Sequence, residues 1–355
     1  MIKRKEPQRV EGPTNFVYLA GDPGDGINRK ILLLGDLHIY DTKCKDNSTS
    51  MIDFLRYIAF RLNSSILDLF LEFRFVTNSE ELFGQEIQEG KYIYNLIYEL
   101  KDCLTKHKED CKEPMRIHYV DTRYVNSSMS SFSAIYIFLK NIVIQSTFEE
   151  IEEWSAAEWP EDVEKAISIS FDQARLSENK LKNISSKIRE KFKQNVLQFI
   201  SVKLSSFYKD RSNMRMFYKI KEIVQQSLKD KKRLSRDQYI YILHFYEKFI
   251  KMQSHFMDAY FVYRLLKKAT DRKPDRPSLA LHPGQNIKHV VGYMGNIHTF
   301  QVRDLLLSMG FNLLDCSDNN ELEAQFNKNG RVPDKVEQCL EYSIIKETIN
   351  DFCKS

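Results

Sequence analysis

Two kinds of hydrophobic spacing divide the chain. Over the first third, short apolar runs alternate with stretches of helical period. Phe16–Ala20 reads as a short strand, and Gly21-Asp22-Pro23-Gly24-Asp25-Gly26 after it is turn chemistry. Ile31-Leu32-Leu33-Leu34 is the pattern of a strand buried on both faces, and its nearness to the turn predicts a hairpin with Phe16–Ala20 rather than a phosphate loop. Ser50–Leu62 places Ile52, Leu55, Ile58 and Ala59 at helical spacing behind Ser50 as a cap. Leu67–Phe75 is a second strand, Ile87–Leu104 an amphipathic helix and Arg116–Val120 a third strand. From about Ser130 to Ala269 a 3.6-residue period takes over. Leu181, Ile184, Ile188, Phe192, Val196 and Phe199 form one stripe, and Ser235-x-x-Gln238 is a capping box opening a helix through Tyr241, Phe245 and Phe249. Met252, Phe256 and Tyr260 read as core. Lys288–Met294 then returns to strand character.

Strands alternating with helices predict an α/β fold: a mostly parallel sheet with flanking helices and right-handed crossovers, plus a large all-helical insertion or cap. The expected divisions are a disordered lead-in at 1–13, a first part of the α/β core at 14–128, a helical insertion at 129–272, and a second part of the core with a C-terminal helix at 273–355.

Composition narrows the class. A net charge of +4 is small beside 53 basic and 49 acidic side chains, so composition gives no strong nucleic-acid signal. Lys229-Asp230-Lys231-Lys232-Arg233 reads as a solvated helix end, although Phe207, Tyr208, Phe217 and Tyr218 interleave with Lys and Arg and make the helical half a candidate surface for a protein partner or RNA. Six cysteines without Cys-x-x-Cys spacing argue against a zinc ribbon and a disulfide scaffold. Residues 1–12 lack the apolar core of a signal peptide, and no apolar run is long enough to span a membrane, so an intracellular, cytoplasmic protein is expected.

The candidate chemistry gathers where strands end. After Leu34 come Gly35, Asp36, Leu37 and His38, the glycine being expected to end the strand and turn the backbone. Near the other end of the chain an apolar strand again runs into Gly295-Asn296-Ile297-His298 and a helix. Glu72 stands near the end of the second strand, and Asp121-Thr122-Arg123 follows the third. Parallel strands bring such residues to one rim, the usual ligand edge of an open α/β sheet. Two imidazoles with carboxylates form a divalent-metal set, with His38, His298 and Glu72 as ligands. Asp36, Glu72 or Asp121 would be the general base, Arg123 the anion clamp and Asn296 a further member of the site. His107, His118, His244, His255, His282 and His289 lack the glycine turn and receive no role.

The two Gly-x-x-His motifs, the strand ending in Glu72 and Asp121-x-Arg123 resemble the TraB/Tiki and EreA/ChaN-like superfamily over about residues 28–125 and 255–312. The helix Met257–Arg264 and the phrase Gly295-Asn-Ile-His-Thr-Phe-Gln-Val-Arg-Asp-Leu-Leu306 are similar to its closing segment. The resemblance implies a metal-dependent hydrolase, peptidase- or esterase-like, using Zn, Mn or Co, with His38, His298 and Glu72 at its core. Asp36 departs from the Glu or other polar residue that relatives often carry. Two alternatives stand beside it. One is a catalytically inactive binding or structural protein on the same frame. The other is a calcineurin-like metallophosphoesterase, whose first motif Gly35-Asp-Leu-His38 matches but whose later Gly-Asp-x-x-Asp and Gly-Asn-His motifs do not occur between Tyr40 and Asn141.

Overall fold

The computed structural model describes residues 6–36, 44, 48–62, 65–74, 92–100, 103, 113, 115–121, 131–268, 285–317 and 339–354. Its strands are β1 (Arg9–Glu11), β2 (Asn15–Gly21), β3 (Arg29–Asp36), β4 (Ser48–Thr49), β5 (Leu67–Arg74), β6 (Met115–Asp121), β7 (His289–Gly295), β8 (Asn312–Cys316) and β9 (Cys339–Glu341). The helices are α1 (Met51–Arg61), α2 (Tyr92–Glu99), α3 (Ser131–Val143), α4 (Phe148–Trp154), α5 (Val163–Gln173), α6 (Glu178–Leu181) and α7 (Ser186–Phe192). After them come α8 (Gln198–Lys209), α9 (Arg211–Asp230), α10 (Arg236–Leu266), α11 (Asn296–Ser308) and α12 (Tyr342–Phe352). The chain divides into two compact units, one of residues 1–121, 183–188 and 264–355, the other of 122–182 and 189–263.

The first unit is α/β. Its six-stranded sheet has the order β6-β5-β7-β3-β2-β8; β6, β5, β7 and β3 run parallel, and β2 is antiparallel to both of its neighbours. Ile31 to Leu34 are wholly buried, as expected of an inner strand with both faces covered. The β2–β3 hairpin pairs Gly21 with Arg29, and Asp22 Oδ1 accepts the Gly24, Asp25 and Gly26 amides that build its turn. On one face Leu32, Leu34, Leu69, Leu71, Ile117, Tyr119, Val291 and Tyr293 form a core with α1, α2 and α12. On the other face α11 lies against β7, β3 and β2. Ser50 caps α1 as its sequence predicts, accepting the Asp53 amide at 3.3 Å.

Two expectations need correction here. Arg9–Glu11, assigned to a disordered lead-in, forms the middle strand of a small sheet ordered β4-β1-β9. The cysteines also do pair: Cys44 and Cys339, 295 residues apart in sequence, are joined in a disulfide, and Cys103 is disulfide-bonded as well. Spacing rules see only cysteines close in sequence, whereas Cys339 begins β9, and β1 pairs with both β9 and β4.

The second unit, as far as it is described, is helical. Trp159 sits at its centre, donating Nε1–H to the Tyr208 carbonyl at 2.9 Å among Phe207, Tyr208, Phe217 and Phe245. The aromatics that interleave with basic residues are therefore largely core: Tyr208 and Phe217 are buried, and Tyr218 is exposed. The capping box at Ser235 and Gln238 forms in both directions. The stripe from Leu181 holds as far as Val196 and then slips. Lys193–Leu197 is a π-turn, whose extra residue per turn buries Ile200 and Leu204 and leaves Phe199 exposed. Among the described residues no helix is long and apolar enough to cross a membrane.

Candidate active site

The described parts of the two glycine motifs lie side by side. β3 and β7 pair in parallel with Gly35 opposite Met294 and Asp36 opposite Gly295, so the segments leading to His38 and His298 leave adjacent strands at the same edge. Gly35 makes no turn there. It is extended within β3, and its lack of a side chain serves a close approach: a Cβ would come within 3.0 Å of Asn15 Oδ1, Asn296 Oδ1 and Thr299 Oγ1. Asn296, the first residue of α11, donates to Thr14 Oγ1 at 3.1 Å, and the Thr14 amide donates to the Gly35 carbonyl at 2.7 Å. The glycine thus lets α11 begin directly against β3.

At this edge β7 differs from both neighbours. Its continuation, α11, leaves on one face, whereas α1 after β3 and α2 after β5 belong to the core on the other. Strands whose connections diverge in this way open a crevice beyond their carboxyl ends. Glu72, near the end of β5, reaches the start of α11 at this edge. Its Oε2 accepts the Gly295 amide at 2.7 Å, a charge-assisted bond at the positive end of α11, and its Oε1 stands 3.3 Å from His298 Nε2. Both side chains are nearly buried. The carboxylate fixes the imidazole and the start of α11 together.

The remaining predicted residues fall elsewhere. Asp36 accepts a hydrogen bond from Tyr293 Oη at 2.7 Å, and Tyr293 belongs to the core on the opposite face from Glu72 and His298. Asn296 is engaged with Thr14. Asp121 is buried at the end of β6, with Arg74 of β5 opposite it in the pairing. His38 and Arg123 lie outside the described residues. Among the described residues no three His, Cys, Asp or Glu side chains stand close enough together to hold a metal ion.

Sequence reasoning missed a second polar cluster, on the Glu72 face of the sheet. Asp68 is fully buried and bound bidentately by Arg116, Nε to Oδ1 and Nη2 to Oδ2, both at 2.6 Å. His118 Nε2 stands 2.7 Å from Asp68 Oδ1, and its Nδ1 is 3.1 Å from Arg264 Nη2. Since a guanidinium only donates, Nδ1 accepts and Nε2 carries the proton given to Asp68. Burial pulls the His118 pKa down to about 4 against the pull of Asp68, so the ring is neutral. It stacks on Phe70 with ring centroids 4.4 Å apart. The missed signal was a strand-period one. Asp68 and Phe70 on β5, and Arg116 and His118 on β6, occupy same-face positions of strands with little exposed surface. No family model matches the chain, and neither curated proteins nor solved structures contain a match.

Proposed function

We propose that the chain is a hydrolase of the TraB/Tiki and EreA/ChaN-like kind, acting at the carboxyl edge of the sheet, with Glu72, His298 and His38 as its core. The helical residues assigned to 129–272 would be an insertion into that frame. The observation that carries this reading is the Glu72–His298 pair at the carboxyl end of β7. Its 3.3 Å separation suits two ligands of one ion, because donors about 2.1 Å from a tetrahedral metal stand roughly 3.4 Å apart. Zinc, manganese or cobalt there would acidify a bound water to make a nucleophile near neutral pH. Glu72 would orient His298, while Asp121, two residues beyond Tyr119 on β6, falls by strand alternation on the Tyr119 face and not beside Glu72. Asp36, tied to Tyr293 on the other face, stands outside the pair.

A non-catalytic reading is favoured by one contact, the Gly295 amide bound to Glu72, since a carboxylate that only caps α11 would make it too. Metal analysis by mass spectrometry separates the two. Purified wild type incubated with zinc, manganese and cobalt should retain near-stoichiometric metal, and His298→Ala should lose it while keeping its helical circular dichroism. Wild type without metal would leave Glu72 a helix cap and end the hydrolase proposal.

A further inference from the structure

We infer that Arg264 holds an oxyanion, a carboxylate or phosphate group, in a subsite on the same face of the sheet as Glu72 and His298. The inference starts from a charge imbalance. In the buried cluster Asp68 is matched by Arg116, and His118 is neutral, so Arg264 adds a positive charge that no carboxylate among the described residues meets. Its one bond is to the neutral imidazole, and its Nε is buried without a hydrogen-bond partner. Arg264 sits in the last turn of α10, where the free carbonyls supply a fractional negative charge but no partner for Nε. An orphaned buried donor on a guanidinium is costly unless something fills it.

The cluster also holds Arg264 ready. Asp68 fixes the His118 tautomer, Phe70 fixes its ring plane, and Nδ1 takes one guanidinium proton, leaving the rest of the planar fork for two oxygens. Phe70 and Glu72 share a strand face two residues apart, roughly 7 Å. An anion at Arg264 and a bond cleaved beside Glu72 would therefore fit within one small substrate. The anion site itself requires no hydrolysis and stands or falls separately.

The test is thermal unfolding of the full chain with inorganic phosphate or sodium acetate, against chloride at equal ionic strength. Wild type should gain about 3 °C at a tenfold excess over Kd, and Arg264→Leu should gain nothing. A response to phosphate alone would assign a phosphate-bearing ligand, and a response to acetate a carboxylate. In anion-free buffer Arg264→Leu should still fold, the unpaired His118 Nδ1 it leaves being set against the removal of an uncompensated cation. Arg264→Lys should fold and respond weakly, having charge without the fork. No response in wild type to about 50 mM of either anion, or an unchanged response in Arg264→Leu, would overturn the inference.

Discussion

Replacing Gly35 with alanine tests whether the first glycine motif is shaped by packing or by chemistry. The new methyl would meet three oxygens at once, those of Asn15, Asn296 and Thr299. None has open space to retreat into: Asn15 is 2% exposed and Thr299 fully buried, while Asn296 is held by Thr14. Overpacking of a buried site costs about 1–3 kcal/mol, and shifting Asn296 off Thr14 loses roughly another 1 kcal/mol. Gly35→Ala should therefore destabilise the α/β unit by about 2–4 kcal/mol. The assay must read that unit, because Trp154 and Trp159 both belong to the helical one and their fluorescence reports on it. Native-state hydrogen exchange of the β3 and β7 amides is suitable, and should show faster exchange from both strands together. Adding Asn15→Ala should recover part of the loss. A loss below about 1 kcal/mol would refute the packing argument, since that is less than the smallest overpacking cost invoked.

Two further predictions concern stability. His118 has a folded pKa of about 4 against an ordinary 6.5, so the unfolded chain binds the proton first. Its stabilising contribution is complete above pH 6.5 and should fall by about 1.4 kcal/mol per pH unit down to pH 4; urea titrations should show that slope flattened in His118→Phe. His289, its pKa lowered by burial and by Lys30 and Lys288, acts in the same direction. For Cys44–Cys339, the 295-residue separation gives a chain-entropy ceiling of roughly 5–6 kcal/mol, and losing a native bridge of this kind typically costs about 2–5 kcal/mol. Cys44→Ser/Cys339→Ser should lower Tm accordingly; wild type with both thiols titratable under oxidising conditions would refute the pairing.

The sequence announces what is local or periodic. Ile31–Leu34 reads as an inner strand because four apolar residues in a row admit little else, and Ser50 and Ser235 read as caps because each acts within three residues. The pairing of Glu72 with His298 was half legible. Strand ends and helix starts placed both at one edge, whereas the contact between them depends on β7 entering between β5 and β3. Asp36 shows the limit of that reasoning, since a strand end says which edge a side chain occupies and the pleat decides which face. The Asp68–His118–Arg264 chain escaped because each of its polar residues is isolated in sequence until β5 and β6 are set in register. Arg9–Glu11 escaped for a similar reason: three residues become a strand when distant segments, Ser48–Thr49 and Cys339–Glu341, supply the partners.

The place of β7 has a consequence for synthesis. It is a central strand of the main sheet, yet it leaves the ribosome roughly 170 residues after β6, on the order of 10–30 s later. Until then the described strands of the main sheet can form only the β2–β3 hairpin and the β5–β6 pair, each with an apolar edge waiting for the same partner. Those edges are natural templates for the wrong strand. The helical unit is translated during that interval, so the cell makes the tryptophan core while the sheet stands open. A ribosome stalled before His289 would thus carry two half-sheets, and whatever shields β3 and β5 at that stage would govern the yield of protein with Glu72 and His298 in contact.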